Sequence, residues 1–266
     1  MGADTKALRT RIKSVDSTLH LTKAMGLVAS SKIRRANARM TASRAYAGGL
    51  ERMIEVLAGS PECQRSPFMR ATGSKTRLIV IAGDRGLAGG YNANVFRLIR
   101  EYPDAELIPI GKRACDRFDR ESVSSEHFSA TDAYSLAKRQ CADFAEGAYD
   151  RLGVVYTHYV SMMTQEASVR WLLPLSAPEK KQSGTALFEP DELTVLNAAL
   201  PEYLAGLLTA AVRESFASEV AARRTAMDSA GKNAQQMIDN LQLQYNRARQ
   251  GAITQEITEI VAGSGN

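Results

Sequence analysis

Proline is absent before Pro61 and again after Pro201, so neither end of this 266-residue chain contains a residue that stops a helix. An internal proline costs a helix about 3 kcal/mol, and without one both ends are able to run unbroken. Hydrophobic spacing tells which way they face. Steps of three and four from Ile12 reach Val15, Leu19, Thr22, Gly26, Ala29, Ile33, Ala36, Met40, Ser43, Ala47, Leu50, Ile54 and Leu57, apolar or small at every stop. Helices of globular domains average about 11 to 12 residues, so a seam this long predicts a coiled coil.

The C-terminal segment offers a second seam at Val220, Met227, Ala230, Ala234, Met237, Leu241, Tyr245, Ala248 and Ala252. Its steps run 4-4-3-4 from Met237 to Ala252, which predicts a local loosening of the left-handed supercoil. Each helix alone would expose an apolar stripe, and each finds its partner in the other. The expected fold class is therefore α/β, with a long antiparallel two-helix coiled coil formed by the N- and C-terminal helices and a Rossmann-like α/β domain inserted between them. A helix from Ala7 to Leu57 would be on the order of 75 Å long, so the rod is expected to project. The expected boundaries are 1–59, 60–200 and 201–266.

The middle of the chain supplies the inserted domain. Thr76–Ala82, Glu106–Ile110, Gly153–Met162 and Val169–Leu175 read as strands, two of them nearly continuously apolar, as in a sheet covered on both faces. Asn94–Arg100, Lys112–Asp119 and Asp132–Leu152 read as helices, with Gly153 placed to cap the last. This alternation predicts a small, mostly parallel sheet. Gly59–Lys75 and Pro178–Asp191, with their Pro, Ser and Gly, read as its borders.

Charge is concentrated at one end. Residues 1–52 carry eleven Lys and Arg against Asp4, Asp16 and Glu51, a net +8 in a chain whose total is +5. Such a helix suits nucleic acid, anionic lipid or an acidic protein partner, or is simply a solvated face. Cys63, Cys115 and Cys141 are odd in number and widely spaced, which predicts a reducing compartment. The N-terminus has no apolar leader region, and Lys6 stands where myristoylation needs Ser or Thr, so neither a secretory signal nor that lipid is expected. No apolar run approaching the ~18 to 20 residues of a membrane span is expected either.

Catalytic motifs are weak throughout. Gly83-Asp-Arg-Gly-Leu-Ala-Gly-Gly90 follows a strand and precedes a helix, where backbone N–H groups are able to cradle phosphate. Its spacing fits neither GxGxxG nor GxxxxGK[ST], so a packing turn or docking surface is the favoured reading. His20, His127 and His158 are far apart, with no carboxylate or cysteine at ligand spacing. His158 and Trp171 read as core or sheet-face residues. No nucleophile sits in a recognisable elbow, and neither a catalytic centre, a cofactor nor a metal is expected. The C-terminal stretch from Asn246 lacks lysine yet keeps Ile253, Ile257, Ile260 and Val261 close to its end. Apolar residues so placed predict insertion into a partner rather than a frayed terminus.

Three blocks together carry a resemblance. Thr22-Lys-Ala-Met25-Gly-Leu-Val-Ala-Ser-Ser-Lys32-Ile-Arg-Arg-Ala36 forms the first, and Gly83–Gly90 extended by Tyr91-Asn92 the second. The third joins Ala226-Met227, Ala230, Asn233-Ala234 and Leu241 to Asn246-Arg-Ala-Arg-Gln250 and the Ile-Thr-x-Glu ending. In this order the sequence resembles the gamma subunit of F-type ATP synthases, over essentially its whole length. It departs at Gly83 and Ala88, where the family commonly has Ser and Cys, and at Gly263-Ser264, where it has Gly-Ala. The chain is somewhat short for the family, and it lacks the cysteine pair of the redox-regulated chloroplast form, which favours a bacterial type.

The resemblance implies a non-catalytic rotor stalk at the cytoplasmic face of a bacterial plasma membrane. Its implied partners are the hexamer of alpha and beta subunits, the epsilon subunit and the membrane c-ring, with no nucleic acid and no direct membrane insertion. Lys23 and Met25 would lie near acidic beta-subunit lever loops, a contact that reaches Lys32, Arg34 and Arg35. Arg249 and Gln250 would bond to a beta-subunit loop, supported by Thr254 and Glu256. Asp84, Arg85, Gly86, Phe188 and Glu189 would face epsilon and the c-ring. A Rossmann-like nucleotide-binding enzyme with helical dimerisation arms is the alternative, followed by a nucleic-acid-binding coiled coil. The latter lacks the aromatics of a base-stacking platform.

Overall fold

The computed structural model describes residues 2–176 and 187–263, with the side chains of residues 2–4 outside that description. Much of the expected border Pro178–Asp191, and Ser264, lie outside the described residues. In chain order the elements are α1 (Gly2–Ala58), β1 (Thr76–Ile81), α2 (Tyr91–Ile99), β2 (Glu106–Ile110), α3 (Lys112–Arg117), α4 (Ala130–Ala145), β3 (Arg151–Tyr159), β4 (Gln165–Leu173) and α5 (Glu192–Gly263). Two compact units form: one from residues up to Ser30 together with those from Arg223 onward, the other from Ser31–Ala222.

In the first unit α1 and α5 pack antiparallel. Leu19 is buried with Ala234 and Ile238, and Val15 packs against them. A Cβ added at Gly231 would meet Thr22 Oγ1 at 3.6 Å, and one at Gly26 would meet Met227 Cβ at 3.7 Å. Numbers thus fall along α5 as they rise along α1. The α1 seam lies where its spacing predicts, every stop from Ile12 to Leu57 being buried or half-buried. Even its polar stops are satisfied, Thr22 Oγ1 donating to the Leu19 carbonyl at 2.9 Å and Ser43 Oγ to that of Arg39 at 2.8 Å.

The α5 seam needs a correction. Met237 is 46% exposed while Ile238 is 5% exposed, so the stripe runs through Met227, Gly231, Ala234, Ile238, Leu241, Tyr245, Ala248 and Ala252. Those steps alternate strictly between four and three. The expected irregularity came from choosing Met over its β-branched neighbour, and the regular heptad removes the argument for a local loosening.

In the second unit the sheet has strand order β2-β1-β3-β4, with β1 parallel to both β2 and β3, and β4 antiparallel to β3. Pro109 falls in β2, an edge strand, where a missing N–H is tolerated. Alternate residues of β1 serve two cores. Leu78, Val80 and Ala82 pack with Val95 and Ile99 of α2. Ile79 and Ile81 pack in the larger core that holds α4, the start of α5, and Ala47, Ile54 and Leu57 of α1. A run buried on both faces must be apolar, as Leu78–Ile81 is, the buried Arg77 before it being the exception.

Helix α4 ends earlier than its sequence predicts, at Ala145 rather than Leu152. Gly147 takes φ +75° and its N–H reaches the Phe144 carbonyl at 3.0 Å, ending the helix in a left-handed turn. Gly153, expected as that cap, lies inside β3 instead, and Leu152 is part of the same strand. Strands β3 and β4 are likewise displaced from their expected bounds by a few residues.

Helix α5 begins ahead of Pro201 and carries that proline inside it. Asp191 starts it, accepting the Thr194 backbone N–H and hydroxyl, each at 2.8 Å. Contrary to expectation, α5 is long and apolar enough by length and composition to cross a membrane, but 56% of that apolar window is buried inside the chain. Leu196, Leu200, Leu204 and Leu208 are wholly buried at steps of four. The apolar length is the inner face of a core helix.

Candidate functional site

The Gly83–Gly90 turn links β1 to α2 and is organised around Asp84. Asp84 Oδ1 accepts the N–H of Lys112 at 3.0 Å and of Ser125 at 2.9 Å, while Oδ2 accepts Ser124 Oγ at 2.5 Å and the Glu126 N–H at 3.1 Å. Partial burial pushes this carboxyl up, but the four donors outweigh it and hold it below the usual carboxylate range. The carboxylate is a knot joining the turn, the start of α3 and the 124–126 loop. Asn92 closes the turn from the other side, its Oδ1 accepting the Gly83 N–H at 2.9 Å. Leu87, at the tip, has φ 60° and is 64% exposed.

At Gly83 the backbone passes close to Glu219 of α5. A Cβ added there would lie 2.7 Å from the Glu219 carboxyl carbon, a carboxyl group belonging to a residue only 3% exposed. Any larger residue there must displace the Glu219 carboxylate, which gives the departure from the expected Ser a physical counterpart.

The basic face of α1 is partly neutralised from within the second unit. Lys32 Nζ lies 2.5 Å from Glu126 Oε1. Arg44 forks onto Glu214, with Nη2 at 2.7 Å and Nε at 3.1 Å, and also donates to the Tyr159 carbonyl at 3.0 Å. Glu214 further accepts the Tyr159 N–H at 3.0 Å and faces His158 Nδ1 at 2.5 Å. Burial raises the Glu214 pKa, but Arg44, the Tyr159 N–H and His158 outweigh it and the net shift is downward. His158 is thus a sheet-face residue turned toward a buried carboxylate on α5. Lys23, Arg34, Arg35 and Arg39 are exposed, and Met25 is half-buried.

Arg249, Gln250, Thr254 and Glu256 are all exposed on α5, and Thr254 Oγ1 returns to the Gln250 carbonyl at 2.9 Å. Ile253, Ile257, Ile260 and Val261 beside them are 48–70% exposed. Arg85 is exposed and Gly86 half-buried in the turn. Phe188 packs partly against the larger core, leaving Glu189 exposed. Along the chain these residues fall in mid-α1, near the end of α5, in the turn between β1 and α2, and just before α5.

Sequence reasoning missed the polar ties. Arg77, 8% exposed at the start of β1, bonds Glu106 at 2.8 Å, Asp143 at 2.5 Å and Gln140 at 2.9 Å, with its guanidinium 4.3 Å from the Tyr149 ring centre. An arginine opening an otherwise apolar strand was the available signal. Nothing local announced Glu214, whose partners Arg44, His158 and Tyr159 lie on distant segments.

The chain matches a family model described as ATP synthase over residues 4–265. A protein of Moorella thermoacetica named ATP synthase gamma chain is 41% identical, over 98% of each chain, and one of Ruminococcus albus with the same name is 40% identical, over 99% of each. Among solved structures, a chain of the Euglena gracilis mitochondrial ATP synthase superposes with a TM-score of 0.71 at 18% identity, covering 99% of this chain and 94% of that one. A chain of the Tetrahymena thermophila mitochondrial ATP synthase central stalk and c-ring gives 0.62 at 24% identity, covering 79% and 99%.

Proposed function

Because this chain belongs to the ATP synthase gamma-chain family, we propose that it acts by shape and contact, as the central stalk that couples rotation of a membrane c-ring to ATP synthesis in an alpha–beta hexamer. Gamma chains are non-catalytic, peripheral members of a membrane-bound complex, and the chemistry of the family is carried by other subunits. In this reading residues 1–59 and 201–266 serve as the shaft and 60–200 as the α/β domain beside epsilon and the c-ring, at the cytoplasmic face of the membrane. The observation that carries it is the regular antiparallel seam of α1 and α5 beside a C-terminal stretch that leaves four large aliphatic residues exposed. Bare apolar surface of that kind calls for a partner, and the apolar lining of a hexamer's central hole supplies one.

The mechanism follows from asymmetry. A rod whose faces differ presents a different surface to each of three beta subunits and so favours a different conformation in each. Driving one site from 1:99 to 99:1 takes about 5.5 kcal/mol of differential contact, and the coupling is reciprocal, nucleotide state biasing rod angle as rod angle biases affinity. Lys23 and Met25 would meet acidic lever loops. Arg249 and Gln250 would bond a beta-subunit loop, with Thr254 and Glu256 in support. Asp84, Arg85, Gly86, Phe188 and Glu189 would face epsilon and the ring, Asp84 acting chiefly by holding the turn in shape.

The test is removal of Ile253–Asn266 from the assembled enzyme. Rotation-coupled ATP synthesis in membrane vesicles should fall while the α/β domain keeps its fold by circular dichroism. Full synthesis by the truncated enzyme would overturn the proposed contact.

A further inference from the structure

The second unit contains two adjoining recesses, of about 370 and 300 Å³, that share Ala36, Arg39, Glu126 and Phe216. Lys32 and Arg35 of α1 line one; Arg213 of α5 and Ser125 line the other; Arg39 reaches both. Four cations, Lys32, Arg35, Arg39 and Arg213, thus line the two recesses together with one carboxylate, Glu126, which is already paired with Lys32. Arg213 spends one N–H on Ser43 Oγ at 2.6 Å, and a guanidinium has five. Phe128 and Phe216 form an apolar wall, which strengthens the field of the charges beside it.

The second observation is independent of charge. Ser125 is 5% exposed, and its hydroxyl is among the few buried side-chain groups with no hydrogen-bond partner. Its backbone N–H is satisfied by Asp84, as is that of Glu126, so the loop is pinned and the hydroxyl alone is orphaned. A buried donor without an acceptor calls for an explanation. An acceptor-rich anion beside arginines provides one.

We propose that this recess between α1, α5 and the 124–130 loop binds a tetrahedral oxyanion of the phosphate class, held by Arg39 and Arg213 and accepting a hydrogen bond from Ser125. Arginine forks match such oxygens in pairs, and the Ser125 hydroxyl adds a donor fixed in place by the Asp84 knot. The site lies apart from the Gly83–Gly90 turn and makes no use of the α2 N-terminus.

The experiment is calorimetric titration of inorganic phosphate into the full chain at low ionic strength, with chloride as control. Saturable 1:1 binding is expected, competed by sulfate. Arg39→Gln and Arg213→Gln should each weaken it at least tenfold. Ser125→Ala should weaken it severalfold while leaving the thermal midpoint in phosphate-free buffer unchanged or slightly raised, a pairing that a purely structural serine would not give. Arg9→Gln with Arg11→Gln, which do not line the recess, should leave binding alone. No saturation, or equal weakening by the remote pair, would overturn the proposal. ADP in place of phosphate separates the sources: phosphate bound more tightly supports the free ion, and ADP bound more tightly through the same arginines supports the phosphoryl end of a nucleotide.

Discussion

Arg44 on α1 and Glu214 on α5 are 170 residues apart in sequence, yet the guanidinium forks onto both oxygens of the carboxylate. Glu214 is nearly buried, and Arg44 keeps 40% of its side chain in solvent. Arg44→Ala should therefore cost about 2 kcal/mol, below the range for a wholly buried pair because water partly replaces the lost partner. Arg44→Met with Glu214→Leu should recover only part of that, since the Tyr159 N–H and carbonyl then lose their partners. Urea denaturation of the three chains checks it, and a double variant as weak as the single one would refute the assignment.

Glu214 and Asp84 both have pKa values below the usual carboxylate range. A depressed carboxylate contributes stability that is fully present above its unfolded pKa, about 4, and is lost as pH falls through the lower folded value. Urea midpoints should hold steady from about pH 7 to 5 and drop below about pH 4. Asp84→Asn should be less stable at neutral pH and show a shallower acid slope. An unchanged slope would mean that the knot does not titrate as described.

Gly83→Ser introduces a Cβ that would press on the Glu219 carboxyl. Overpacking of this kind costs about 1–3 kcal/mol. Glu219→Asp retracts the carboxylate by one methylene, so the double variant should lose less than the sum of the singles. Strict additivity in denaturation measurements would show that the two side chains do not meet.

The corrected heptad separates two adjacent residues. Ile238→Ala removes a buried seam residue and should cost about 2 kcal/mol. Met237→Ala should stay within about 0.5 kcal/mol, as exposed substitutions do. Thermal melts followed by helicity compare them. Equal losses would return the seam to its irregular form.

Periodicity and the positions of proline made the long helices legible, because a buried stripe on a helix must recur every three to four residues whatever it packs against. The apolar strands were legible for a related reason: a covered strand has no polar face to disguise it. Helix ends were not. Gly147 and Gly153 are both plausible stops after α4, and only the pairing of Leu152 and Gly153 with β1 and β4 decides between them. The C-terminal seam was off by one residue at two stops, Gly231 standing for Ala230 and Ile238 for Met237, since the adjacent residues in each pair are alike in character and only packing against α1 chooses. Of the candidate contacts, residue type on α1 and α5 was readable. The inward use of Asp84, Lys32 and Glu214 was not, because each partner comes from another segment.

The seam of the first unit sets glycine and alanine among its larger apolar residues, Gly26 and Ala29 on α1 and Gly231 and Ala234 on α5. At Gly26 and Gly231 even an added methyl carbon would stand within 4 Å of the opposite helix. Interfaces built from long side chains yield under shear as those chains swing between rotamers; glycine and alanine have no such freedom to give. Load applied to one helix at these points passes to the other through short, stiff contacts such as Gly26 against Met227 Cβ and Gly231 against Thr22, so the pair should wind elastically with little loss to internal friction.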